Sequence, residues 1–168
     1  MSTGIRRLNH AVLFVSDLDR ALEFYSEVLG FTVMTTVERM NAAFLTTPDS
    51  RNDHDLGLFA LGVGSPGPVQ GQTGLCHLAW QVDTIDQLAA LRAAVSDAGA
   101  FGGESSHGTT KSIYGADPDG NQFEIMWMLP RAAWDEVPER AVVEHLDLGA
   151  ELARWSGVGT ADELGPGR

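Results

Sequence analysis

Apolar residues recur along this chain with two periods, one typical of β-strands and one typical of α-helices. Residues 8–15 (LNHAVLFV) alternate between two faces, which predicts a strand. Residues 18–29 carry apolar side chains at helical spacing, after Ser16 as the expected N-cap and before Gly30 as the expected stop. Three more strands are then predicted, over residues 31–37, 40–46 and 54–61.

The same order of elements begins again after a stretch rich in Gly and Pro at residues 62–74, which has no periodicity and is predicted to be a linker. Residues 75–82 (LCHLAWQV) alternate and predict a strand. A helix follows, with Asp83 or Thr84 as its cap and Gly99 at its end.

These two halves match as an internal repeat. A shift of 67 residues places His10 on His77, so each half carries a histidine at the same point of its first strand. The pattern predicts an α+β fold made of two paired βαβββ modules, over about 5–62 and 74–128. Together they would form one domain of residues 5–130.

A C-terminal extension over residues 131–168 lies outside the repeat. Residues 132–155 are expected to be mainly helical, because Val142, Leu146, Leu148 and Leu152 form an apolar stripe. The last dozen residues are rich in Gly and polar side chains and are expected to fray.

Composition limits the kinds of partner and compartment. The 168-residue chain is 43% hydrophobic, which suits a globular domain, and its net charge of -12 disfavours binding to nucleic acid or to an anionic membrane. No signal-type or membrane-spanning apolar stretch is present in the sequence. One cysteine, Cys76, excludes intramolecular disulfides and is expected to be a core thiol. A cytoplasmic protein is therefore expected.

Residues 107–124 hold the densest set of chemical groups. Asp-Pro-Asp-Gly at 117–120 predicts a tight turn, and the strand after it, 121–128, alternates so that Glu124 shares a face with Gln122 and Met126. A carboxylate in an apolar strand is costly to bury without a partner. Glu124 is expected either to be half exposed or to bind a positive group.

Two histidines and this carboxylate suggest a metal site. If the two modules pack about a pseudo-twofold axis, His10 and His77 could face one cleft, and Glu124 would complete a facial triad suited to Fe(II). The alternative is structural, since a histidine in a strand is more often part of the fold than a ligand.

The segment around His107 resembles the signature of type I extradiol ring-cleavage dioxygenases, and the repeat resembles the vicinal oxygen chelate superfamily, which also includes glyoxalase I and bleomycin-resistance proteins. The start of that signature usually has Gly or one of a few other residues two positions before its histidine, whereas this chain has Ser105 there. The matching positions are His107, Ile113, Tyr114, Asp117, Pro118, Gly120 and Glu124.

This resemblance implies roles for six residues. His10, His77 and Glu124 would be ligands of Fe(II), with Mn(II) as the alternative metal. His107 and Tyr114 would hydrogen-bond substrate and oxygen-derived atoms, and His54 would be an acid/base group. The alternative for His54 is an exposed loop histidine beside two aspartates. The substrates would be a small aromatic diol and O2, and the protein would be a homodimer.

Three function classes stay open. An Fe(II)-dependent extradiol dioxygenase is favoured; the others are a different metal-dependent lyase or isomerase of the same fold, and a metal-free small-molecule binding or resistance protein. Glyoxalase I-like sites use a fourth ligand, a carboxylate in the last strand of the first module. Residues 56–61 (LGLFAL) contain none, which disfavours that class.

Overall fold

A computed structural model of the protein describes residues 4, 7–69, 71–137 and 142–160. The predicted domain start at residue 5 and the part of the predicted frayed end (residues 157–168) beyond residue 160 lie outside the described residues. Fraying is wrong for the described part, because the N–H groups of Gly157 and Thr160 donate to Asp86 and Asp83. The chain divides into two compact units. Unit 1 comprises Met1–Gly74 and Asp117–Asn121, and unit 2 comprises Leu75–Ala116 and Gln122–Arg168.

Unit 1 contains a four-stranded mixed sheet. Its order is β1-β4-β3-β2, with β1 and β4 parallel and the other pairs antiparallel. Its helix begins as α-helix and continues as a π-helical turn over Phe24–Val28. The elements are β1 (Ala11–Val15), α1 (Leu18–Glu23), β2 (Thr32–Val37), a 3₁₀ turn (Glu38–Met40), β3 (Ala42–Thr46) and β4 (Leu56–Ala60).

Alternation determines which face of this sheet is buried. Leu13, Leu58 and Leu45 lie on the buried face, whereas Val12 and Phe14 on the opposite face are 50% and 65% exposed. The outer strand β2 is exposed at its first five positions. The cap of α1 is Asp17 rather than the predicted Ser16, because the Ser16 hydroxyl donates to Asp119 instead.

Unit 2 contains a sheet of the same kind, in the order β5-β8-β7-β6. Its helix is capped by Thr84, whose hydroxyl accepts from the Gln87 N–H while the Gln87 side chain accepts from the Thr84 N–H. The elements are β5 (Leu78–Gln81), α2 (Ile85–Asp97), β6 (Phe101–Ser106), β7 (Thr110–Ala116) and β8 (Gln122–Met128).

The two sheets are topological copies of each other. Each has a parallel pair between its first and fourth strands, and each has an irregularity in the register of its outer antiparallel pair. Val12 pairs with Gly57, and its repeat equivalent Ala79 pairs with Glu124. Gly57 therefore occupies in unit 1 the position that Glu124 occupies in unit 2. The predicted α+β fold of two βαβββ repeats is confirmed.

The C-terminal extension differs from its prediction. A 3₁₀ turn spans Arg131–Glu136 and helix α3 spans Leu148–Trp155, but residues 142–147 are not helical. Glu144 instead forms an antiparallel bridge with Ser106, with two N–H···O bonds of 2.9 Å between their backbones. The mainly helical structure predicted over 132–155 is wrong for residues 142–147, because this tertiary pairing outweighs local helical propensity.

Cys76 also differs from its prediction. Its thiol is exposed rather than part of a core, because Cys76 lies in the irregular segment before β5 and not within the strand. In the described part of the chain, no helix combines the length and the apolar character needed to cross a membrane.

Candidate functional site

Unit 1 brings together His10 and His54. Their ring centroids lie 4.4 Å apart. His10 immediately precedes β1 and His54 lies two residues before β4, so the parallel pairing of these strands places the two histidines at one end of the sheet. The His10 backbone segment is fastened there by the Ala11 N–H, which donates to the Asp55 carbonyl at 3.0 Å.

Both histidines donate through Nδ1. The His10 Nδ1 lies 2.8 Å from the Asn9 Oδ1, and the His54 Nδ1 lies 2.8 Å from the exposed Asp53 carboxylate. An amide oxygen and a carboxylate are acceptors, so each ring carries a proton on Nδ1, and in its neutral form it presents Nε2 with a lone pair. A metal-binding histidine is commonly held in this way.

An apolar surface adjoins these two rings. The Phe44 ring lies 4.9 Å from the His54 ring and 5.9 Å from the Phe59 ring. Strand register places Phe44, Phe59, Val12 and Phe14 on the same face of the sheet. The surface can pack against a flat apolar molecule next to the imidazoles.

The loop before β4 is organised by Asp55. Its carboxylate accepts bonds from Thr46, Thr47 and Ser50, at 2.8 to 3.2 Å. Burial alone would raise the pKa of Asp55, but these hydrogen bonds outweigh burial and hold its pKa below the ordinary value. Asp55 therefore stays ionised and fixes the backbone next to His54.

Unit 2 brings together His77 and Glu124. The His77 Nε2 lies 3.0 Å from the Glu124 Oε2, with the two side chains 35% and 13% exposed. Glu124 lies on the half-buried face of β8, while Phe123, Ile125 and Trp127 on the other face are buried, as the alternation predicts. The His77 imidazole compensates the charge of Glu124 only when it is protonated. A bound cation, whose charge is permanent, would therefore stabilise this half-buried carboxylate.

A chain of polar groups leads from Glu124 to His107. The Tyr114 hydroxyl lies 3.3 Å from the Glu124 Oε1 and 2.6 Å from the His107 Nε2. Register places Tyr114 directly opposite Glu124 on neighbouring strands. The Ser105 hydroxyl lies 2.8 Å from the same His107 nitrogen, and the His107 Nδ1 lies 2.7 Å from the Val142 carbonyl.

The Asp-Pro-Asp-Gly turn has a structural role in unit 1. Asp117 is buried and accepts from the Asp119 and Asn121 N–H groups, which closes the turn, and Gly120 adopts a φ of 89°. The buried Tyr25 hydroxyl donates to Asp117 at 3.1 Å, and burial with this carboxylate raises the pKa of Tyr25 far above its ordinary value.

The other aspartate of the turn fastens it to α1. The Asp119 carboxylate accepts from the Ser16 N–H at 2.9 Å, from the Ser16 hydroxyl at 2.6 Å and from Arg20 at 2.7 Å. The acid and turn residues of the sequence signature thus support the fold rather than offering side chains for chemistry.

The predicted site residues fall in both units. His10 and His54 meet within unit 1, whereas His77, Glu124, Tyr114 and His107 meet within unit 2. Neither unit, over its described residues, contains a group of three or more His, Cys, Asp or Glu side chains that could hold a metal by itself. The triad of His10, His77 and Glu124 therefore stays a prediction.

Sequence reasoning missed two groups that contact His107. Ser105 stood out as a departure from the signature, and its hydroxyl contacts the His107 Nε2. Val142 acts through its backbone carbonyl. A carbonyl is common to every residue, so no residue-type pattern could have identified it.

Comparison with known proteins adds the family. Residues 7–125 match the model of the Glyoxalase/Bleomycin resistance protein/Dioxygenase superfamily. A domain from Frankia sp. EAN1pec, a glyoxylase/bleomycin resistance protein/dioxygenase domain by description, has a TM-score of 0.64 at 21% identity. That alignment covers 79% of this chain and 99% of the domain, and it shows the fold.

The relatives include enzymes of two chemistries. Two are dioxygenases: "Catechol-2,3-dioxygenase" of Bacillus subtilis is 29% identical over 76% of this chain, and "Biphenyl-2,3-diol 1,2-dioxygenase 3" of Rhodococcus globerulus is 34% identical over 71%. The chain spans 43% and 62% of these two proteins. "Probable lactoylglutathione lyase" of Vibrio parahaemolyticus is 30% identical over 75% of this chain and 92% of its own length. Because the family model matches residues 7–125, which is most of the chain, the chain belongs to the Glyoxalase/Bleomycin resistance protein/Dioxygenase superfamily.

Proposed function

We propose that the protein is a metal-dependent extradiol dioxygenase that opens the ring of a catechol-type aromatic with O2. The observation that carries this proposal is the hydrogen-bonded series of Glu124, Tyr114 and His107 beside His77. It combines a carboxylate and an imidazole suited to a metal with a phenol and an imidazole suited to proton transfer. The dioxygenase relatives give further support.

By residue type, the predicted donor set suits a divalent cation. His77 and Glu124 offer a nitrogen and a carboxylate oxygen 3.0 Å apart, and His10 presents Nε2 because its Nδ1 donates to Asn9. His10, His77 and Glu124 would hold Fe(II), or Mn(II) in its place. When bound, such an ion would supply the electronic link by which O2 can react with a diolate.

The protein's own groups would then bind the diol and handle its protons. With a proton on the His107 Nε2 donated to the Tyr114 oxygen across 2.6 Å, the Tyr114 hydroxyl would donate its own proton to a substrate oxygen. His54, whose Nδ1 is held by Asp53, would present Nε2 as base and later as acid.

A lyase or isomerase of the same fold is the second candidate, and the lactoylglutathione lyase relative favours it. A fourth, carboxylate ligand would be expected in β4. The position there equivalent to Glu124 is Gly57, where an added Cβ would lie 3.4 Å from both the Phe44 and Val12 side chains. Glycine offers no ligand side chain at this position, which supports the three-ligand dioxygenase over the four-ligand lyase.

The proposal is tested by oxygen uptake. Anaerobically purified protein is reconstituted with Fe(II) and given a panel of catechols, and uptake and ring-fission absorbance are followed together. We expect uptake that disappears, with loss of bound metal, in Glu124→Ala. Stoichiometric metal with no uptake for any catechol would move the assignment to the lyase. A protein that retains no metal would leave a binding or resistance function.

We further propose a homodimer in the cytoplasm, acting on a small aromatic diol and O2 without nucleic-acid or membrane partners. A single cysteine, Cys76, allows no intramolecular disulfide, which suits a reducing compartment.

A further inference from the structure

We infer that the C-terminal extension positions His107. The backbone carbonyl of Val142 accepts a hydrogen bond from the His107 Nδ1 and thereby keeps the proton of the neutral ring on that nitrogen. This inference rests on the proposed function for its catalytic meaning. Its structural part concerns His107 alone and can be measured separately. Val142 lies beyond residues 7–125, the part of the chain that matches the family.

The first step is the direction of the hydrogen bond. The His107 Nδ1 lies 2.7 Å from the Val142 carbonyl oxygen. A carbonyl oxygen can only accept, so Nδ1 must carry a proton for this bond to exist. In the neutral ring the lone pair is then on Nε2.

The second step is what faces that lone pair. The hydroxyls of Tyr114 and Ser105 lie 2.6 Å and 2.8 Å from Nε2. With Nε2 unprotonated, the Tyr114 or the Ser105 hydroxyl donates to it; when Nε2 gains a proton, it donates to the Tyr114 oxygen and the Tyr114 hydroxyl donates to Glu124. Proton exchange is thereby confined to the nitrogen that faces Tyr114. The opposite tautomer would place a proton on Nε2 and leave the Val142 carbonyl without its donor.

The third step is how the carbonyl is held in place. Two residues after Val142, Glu144 is bridged to Ser106, the neighbour of His107, by backbone bonds in both directions. Leu146 is 2% exposed, which anchors the segment in the unit. The Lys111 ammonium, 9% exposed, bonds the Ser106 hydroxyl at 2.8 Å and the Glu151 carboxylate of α3 at 2.9 Å.

The experiment measures the tautomer of His107 in the full-length chain. Protein with ¹⁵N-labelled histidine, purified without added metal, is examined by long-range ¹H–¹⁵N correlation at alkaline pH, where the ¹⁵N shifts distinguish the two neutral tautomers from the imidazolium. His107→Gln identifies the His107 signals among the five histidines. We expect a protonated Nδ1 and an unprotonated Nε2.

Glu144→Pro then releases the segment, because proline lacks the N–H that donates to the Ser106 carbonyl. The matched control is Glu144→Ala, which keeps that N–H and removes an exposed side chain. We expect the proline variant to shift His107 towards the Nε2-protonated form and to lose about 10- to 100-fold in oxygen uptake. The alanine variant should keep the tautomer of the parent.

Each outcome decides one question. A protonated Nε2 in the neutral parent chain overturns the inference without need of any variant, including the case in which Glu144→Pro fails to fold. A folded proline variant with an unchanged tautomer also overturns it. If the protein shows the expected tautomer but takes up no oxygen with any catechol, the positioning role of Val142 is supported and the proposed dioxygenase activity is contradicted.

Discussion

The two tyrosines of the chain have hydroxyls with different tasks. Tyr114 contacts His107 and Glu124, whereas Tyr25 is buried and donates to Asp117. They therefore form a matched pair for substitution by phenylalanine, which keeps the ring and removes one oxygen.

We predict that Tyr114→Phe lowers the kcat of oxygen uptake by about 100-fold or more, because a proton-transfer group is lost. Tyr25→Phe should keep uptake and lower the free energy of unfolding by about 1 kcal/mol, the value of one hydrogen bond. Steady-state uptake and urea denaturation measure the two effects. Equal kcat in the two variants would contradict the role given to Tyr114.

Asp55 predicts an acid-sensitive contribution to stability. Its folded pKa is lowered, so its stabilisation is fully present above the unfolded value of about 3.9 and is lost as pH falls through the lower folded value. Asp55→Asn should reduce the free energy of unfolding at pH 7 and flatten its decline below about pH 4. Urea denaturation at several pH values tests this. A variant that keeps the parent's full acid dependence would contradict it.

In unit 1, Asp119 joins the turn at residues 117–120 to Ser16 and to helix α1. Asp119→Ala removes the bonds to Ser16 and Arg20, and we predict a loss of about 1–3 kcal/mol in the free energy of unfolding. The control is Asp97→Ala, since Asp97 is exposed at the end of α2 and its loss should be neutral. Equal losses in the two variants would show that the turn is not fastened by Asp119.

Local chemistry made most elements predictable. Thr84 caps α2, and Gly99, with a φ of 69°, follows its end, as the sequence indicates. The π-helical turn over Phe24–Val28 was not predicted, and residues 142–147 were wrongly predicted to be helical. The second error has a tertiary cause: the bridge between Glu144 and Ser106 joins residues that are distant in sequence, which a periodicity cannot report.

At the scale of the whole molecule, the sequence predicts the partners within each unit better than the complete site. Alternation along β8 placed Glu124 on its half-buried face, and the signature placed Tyr114 near His107. His10 belongs to unit 1, whereas His77 and Glu124 belong to unit 2. A local sequence pattern reports neighbours along one strand or loop, so it does not establish whether these three residues share one site. Metal titration of His10→Ala beside Glu124→Ala would test whether the ligands of the two units act together.

The proposed homodimer predicts a particle of twice the 18.0 kDa mass of one chain. Light scattering coupled to size-exclusion chromatography measures this mass directly, and dilution over a wide concentration range shows whether the assembly dissociates. A single species at the mass of one chain throughout that range would contradict the dimer.

The exposed outer strand β2 affects how the chain behaves when it is handled. The corresponding outer strand of unit 2, β6, has buried residues at Ser105 and Ser106 and a backbone partner in Glu144, whereas β2 is exposed from Thr32 to Thr36. An accessible strand edge is a template for unwanted pairing with another chain. Amide hydrogens of β2 should therefore exchange with solvent early, and aggregation in storage should begin at this edge rather than at β6.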